Sequence, residues 1–140
     1  DEPGVRESVT QLDALIAREA ERGVPAERVF LAGFSQGGAI VLAGGVRHAK
    51  ALAGIVALST YLPIAEKTGA DRHAANAQIP IFMAHGSHDP VVPQALGTLS
   101  RDHLRSLGYT VDWHTYPMAH QVCAEEIADL RQWLGARMTA

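Results

Sequence analysis

Three short apolar runs set the rhythm of this chain: Val29 to Ala32, Leu52 to Leu58 and Ile81 to Ala84. Each is continuous rather than alternating, the pattern of strands covered on both faces within a parallel sheet. They end at Gly33, Ser59 and His85, 26 residues apart each time, which is the length of a βα unit. Ahead of them, Glu7 to Ala20 carries Val9, Leu12 and Ile16 at helical spacing and stops at Gly23, predicting an amphipathic helix. Gln36 to His48 predicts a second helix, in which Gly44 and Gly45 would each cost about 1 kcal/mol relative to Ala and so point to close packing or an early end. Tyr61 to Gln78 has no clear period and reads as an excursion with short helices at most. Gln94 to Leu107 predicts a helix with Leu96, Leu99, Leu104 and Leu107 inward. Tyr109 to Tyr116 predicts a last strand, and a final helix turns Cys123, Ile127, Leu130 and Leu134 inward. The order αβαβ(α)βαβα predicts the α/β class: three layers, α/β/α, around a mostly parallel sheet, with residues 1–140 as a single domain.

In such sheets ligands bind beyond the carboxyl ends of the strands, where loops converge and helix N-termini point inward. Those ends read "GFSQGG", "STYLP", "HGSHDPVVP" and "YPMAHQV", and three of them supply Ser35, Asp89 and His120 in that order. The G-x-S-x-G spacing around Ser35 suits a sharp strand-to-helix turn, because Gly33 and Gly37 have no Cβ to clash as the turn tightens. Such a turn pushes the serine hydroxyl above the sheet and leaves the Gln36 backbone N–H facing a developing oxyanion. An unassisted serine is a poor nucleophile, so it needs a base and the base an orienting acid, roles that His120 and Asp89 fill. Asp112 competes for the acid role but lies within a strand rather than at its end.

Composition narrows the alternatives. With 47% hydrophobic and 19% charged residues the chain has enough apolar side chains for a core. A net charge of −3 without a long basic run argues against nucleic acid as a partner. One cysteine, Cys123, cannot form an intrachain disulfide and favours a reducing compartment, with the cytoplasm as the expectation. No apolar stretch approaches the roughly 20 residues of a membrane span, and "DEPGVRESV" is unlike a signal peptide. His85, His88 and Asp89 imitate metal ligands, but no fourth group is evident, so no metal is expected. His48 and His73 read as exposed, His103 as half-buried and inward, His114 as an edge-strand residue.

The segments "LAGFSQGGAIVL", "GIVALSTYLP", "MAHGSHDPVVPQALG" and "WHTYPMAHQVCAEEI" closely resemble, in order and spacing, the small bacterial carboxylesterases akin to acyl-protein thioesterases in the phospholipase/carboxylesterase family. That resemblance implies an α/β-hydrolase fold and a cofactor-free serine hydrolase acting on small-molecule esters or thioesters. It makes Ser35 the nucleophile, His120 the base, Asp89 the acid and the Gln36 N–H an oxyanion donor, with Phe34 and Tyr61 binding substrate. One departure bears on activity: nothing matches the upstream HGxG-type loop that supplies the family's second oxyanion N–H. The chain therefore reads as the C-terminal part of a hydrolase domain lacking its N-terminal strands. Val29 to Ala32 is then an open edge, expected to pair with a second copy or an N-terminal complement. A weakly active or inactive scaffold stands as the alternative function, and a dienelactone-type hydrolase or peptidase as another enzyme of the same fold.

Overall fold

The computed structural model describes residues 1–138. Its first helix, α1 (Glu2–Glu21), starts five residues before the expected start at Glu7. Asp1 stands at its N-cap, Pro3 is preset for a first helical turn and Glu2 complements the positive helix end, so the polar start is helical after all. Ile16 is buried, while Val9 and Leu12 pack against α2 (Gln36–Arg47). Close packing is the outcome at the two helical glycines: a Cβ on Gly44 would lie 2.7 Å from Leu12, and one on Gly45 2.4 Å from Ile55.

Strands β1 (Phe30–Phe34), β2 (Gly54–Leu58), β3 (Ile81–Gly86) and β4 (Val111–Tyr116) form one wholly parallel sheet in the order β1-β2-β3-β4. Side chains alternate between its faces. Ile55, Ala57, Ile81 and Met83 join α1, α2 and α4 (Gln94–Ser106) in one core, whereas Val56, Leu58, Phe82 and Ala84 meet α5 (Ala124–Met138) on the other. This is the α/β/α layering of an α/β-hydrolase fold. The excursion after β2 contains one short helix, α3 (Ala65–Asp71), and a single 3-10 turn.

Four expectations need correction. The run around Val29 to Ala32 is not covered on both faces: β1 is the edge strand that the resemblance implied, in which Ala32 and Phe34 are exposed and Leu31 alone is buried. On α4 the inward stripe is Gly97, Ser100 and Leu104, so Leu96 and Leu99 face outward. The helix axis comes too close to the sheet at Gly97 for a leucine row to fit between. On α5, Ile127 is exposed, whereas Leu130, Leu134 and Cys123, which precedes the helix, pack on the core as expected; Glu126 and Trp133 are the buried residues. Trp133 rotates the helix by packing edge-on to Phe30 and against Phe82. His48 also departs from its expected exposure, because Asp13 holds its Nδ1 at 2.8 Å and its side chain is largely buried.

Candidate active site

The turn after β1 is built by close approach of backbone to backbone. A Cβ on Gly33 would sit 2.3 Å from the Gly37 carbonyl group, so no other residue fits there without a shift. At Gly37 itself a Cβ would meet open space; the second tight position is Gly38, against Thr60. Ser35 pays for this geometry with φ 55° and ψ −120°, a region that non-glycine residues rarely occupy. Its N–H donates to the Leu58 carbonyl at 2.8 Å, and its carbonyl accepts from the Thr60 hydroxyl at 2.6 Å and from the Ala39 N–H at 3.1 Å. Thr60, which the sequence did not single out, thus braces the turn from the neighbouring strand end.

Ser35 is the N-cap of α2, where a serine hydroxyl ordinarily accepts a bond from the helix N-terminus. It makes no such bond. Its Oγ instead lies 3.0 Å from Nε2 of His120, and the His120 Nδ1–H donates to Asp89 Oδ2 at 2.7 Å. The first N–H groups of α2, starting with Gln36, are left without intrahelical acceptors beside the hydroxyl. Asp89 is held from its other side, where Oδ1 accepts from the N–H of Val91 at 2.8 Å and of Val92 at 2.9 Å. Burial opposes ionisation of this carboxyl more than any other single influence. The bonds from His120, Val92 and Val91 together outweigh it and hold the Asp89 pKa below the ordinary value.

The loops after β3 and β4 are stitched to each other. Ser87 N–H donates to the Tyr116 carbonyl at 2.8 Å and His88 N–H to the Met118 carbonyl at 3.0 Å. Gly86 allows this contact, since a Cβ there would lie 2.3 Å from the Met118 carbonyl oxygen. The "HG" of the third strand end therefore has a mechanical role in bringing Asp89 and His120 together. His88 is exposed and His85 buried, and among the described residues no three His, Cys, Asp or Glu side chains gather as metal ligands would.

The sequence pattern of the phospholipase/carboxylesterase family matches residues 1–137. The chain belongs to this family. It is 43% identical to acyl-protein thioesterase 1 of Neurospora crassa over 99% of its own length and 58% of that protein's. Against acyl-protein thioesterase 1 of Yarrowia lipolytica the identity is 42%, with 96% and 60% covered. The chain thus spans about 60% of the length of the curated relatives it matches. Among solved structures, Arabidopsis thaliana SOBER1 superposes with a TM-score of 0.93 at 30% identity, covering 99% of this chain and 66% of that one. Zea mays acyl-protein thioesterase 2 gives 0.85 at 26%, with 98% and 66% covered.

Within this family member, Phe34 and Tyr61 occupy different surroundings. The Phe34 ring packs on the His120 ring, centroids 4.8 Å apart, and restrains it directly. Tyr61 stands between two grooves. One, of about 460 Å³, includes Gln36, Ala39 and Ile40; the other, of about 330 Å³ and largely apolar, includes Leu96, Leu99 and His103. A further groove of about 490 Å³, among Ile16, Ala20, Pro25, Ala26 and His48, touches none of Ser35, Asp89 or His120. No helix among the described residues is long and apolar enough to cross a membrane.

Proposed function

We propose that this chain carries the reaction centre of a serine hydrolase that cleaves carboxylic esters or thioesters through an acyl-enzyme. The observation that carries the proposal is the continuous hydrogen-bonded path from Ser35 Oγ through His120 to Asp89, set on a strained turn. Ser35 Oγ attacks the acyl carbonyl carbon as His120 Nε2 takes its proton. The carbonyl oxygen gains charge facing the Gln36 N–H, at the positive end of a 12-residue helix. Asp89, ionised and buried, stabilises the imidazolium. The imidazolium then protonates the departing alcohol or thiol, and water, deprotonated by the same ring, releases the acid and restores Ser35.

The apolar groove between Tyr61 and α4 favours a substrate with a hydrocarbon acyl part. The acyl-protein thioesterases among the relatives support an acyl thioester on a protein as one substrate class. Cys123, unpaired, fits a reducing compartment such as the cytosol.

A second reading has its own support, in the exposed edge of β1 and the roughly 60% span. In it the chain is one folding unit of a larger domain, weakly active until β1 pairs with further strands or a second copy. A missing oxyanion donor costs about 10²- to 10³-fold in rate. One experiment separates the two: treat the purified chain with a fluorophosphonate probe, map the label by peptide mass spectrometry, and use Ser35→Ala as control. Label on Ser35 alone supports an assembled hydrolase. A folded sample that takes no label supports the incomplete unit, and sedimentation of Ala32→Lys against wild type then tests whether the β1 edge self-associates.

A further inference from the structure

We infer that His85 is a positioning residue of the acid limb, acting through Val92 to hold the Asp89 carboxylate where His120 meets it. This rests on the serine-hydrolase reading above. His85 is the fifth residue of β3 and is fully buried. Its Nε2 lies 2.7 Å from the Val92 carbonyl oxygen, a contact that requires the proton to be on Nε2 and makes the ring a donor. The bond closes the loop that carries Asp89, seven residues from donor to acceptor.

Val92 is therefore held at both ends of its backbone. Its carbonyl accepts from His85, and its N–H donates to Asp89 Oδ1. The same Nε2 also lies 3.7 Å from Asp89 Oδ2, the oxygen that His120 uses. The ring has little freedom to leave this place. Trp113 stacks on it with centroids 6.3 Å apart, the Arg101 guanidinium covers Trp113, and a Cβ on Gly97 would lie 2.7 Å from Nδ1. Small errors in placing a catalytic group are costly, roughly 10²-fold per Å of displacement. A buried donor that sets the acid loop to one register is thus a rate determinant without touching substrate.

The test uses the full chain with three substitutions, an activated aryl ester, active sites counted by fluorophosphonate, and hydrogen exchange of the Val91 and Val92 amides. His85→Phe keeps a ring against Trp113 but cannot donate. We expect kcat per labelled site to fall about 10- to 100-fold with KM little changed. Exchange at Val91 and Val92 should rise at least about tenfold. His85→Gln, which retains an N–H, should recover part of both. Gly97→Ala crowds the ring without removing it and should reproduce the effect if His85→Phe fails to fold. Wild-type kcat per labelled site with unaltered Val91 and Val92 exchange overturns the inference, whatever happens to Tm. If the wild-type chain takes up no probe, the assembled-hydrolase reading fails, and the exchange comparison still decides whether His85 holds the loop.

Discussion

The two sides of the sheet hold the proposed reaction centre in opposite ways. On the acid side every residue of β3 is buried, and the loop beyond it is fixed by bonds to Val91, Val92, Tyr116 and Met118. On the nucleophile side β1 is an edge strand with exposed positions, and Ser35 is held by a steric fit at Gly33 and by bonds to Leu58 and Thr60. Burial gives the acid a low-dielectric setting in which its charge acts strongly on His120. The nucleophile needs access more than burial, so it is positioned by backbone geometry. Rigidity at this site thus has two sources, packing on one side and a strained turn on the other.

The largest effect should come from the packed side. Asp89→Asn preserves shape but offers an N–H where His120 Nδ1 donates, which favours the wrong tautomer. Steady-state kinetics should give a kcat loss of about 10⁴-fold with little change in fold; a loss below about tenfold would mean the acid is supplied elsewhere. Next comes Gly33→Ala, whose Cβ meets backbone that cannot rotate away. Urea melts should show a destabilisation of about 3 kcal/mol, with loss of fluorophosphonate labelling.

A smaller, pH-dependent effect is expected behind the histidine loop. Glu126 is fully buried with neither carboxyl oxygen hydrogen-bonded, and burial pushes its pKa up from the ordinary carboxylate value. The native state therefore holds a proton that the unfolded chain releases, and stability falls as pH rises from the unfolded value through the folded one. Glu126→Gln removes that titration. Melts at about pH 4 and about pH 8 should show the variant gaining on wild type at the higher pH, and an equal difference at both would rule out a buried, protonated Glu126. Gly37→Ala should be nearly silent, within about 0.5 kcal/mol, since its Cβ would meet open space. If it proves as damaging as Gly33→Ala, the turn is not held by the Gly33 contact.

The α/β order, the four strands and the three residues of the proposed reaction centre were legible in the sequence, because each follows from a local cue. Apolar runs of strand length mark a parallel sheet, and its strand ends mark where a ligand binds. Less was legible where two distant segments compete for one space. Leu96, Leu99 and Ile127 continue helical stripes, yet they face outward because Gly97 and Trp133 set how each helix is rotated against the sheet. The sequence by itself determined the element order, the strained turn at Ser35 and the chain order of serine, acid and histidine. Only the tertiary structure decided that Gly33 and Gly38 rather than Gly37 are the tight positions, and that Thr60, Gly86 and His85 pack around Ser35, Asp89 and His120. Those facts are contacts between segments far apart in the chain, and no spacing along one segment encodes a distance to another.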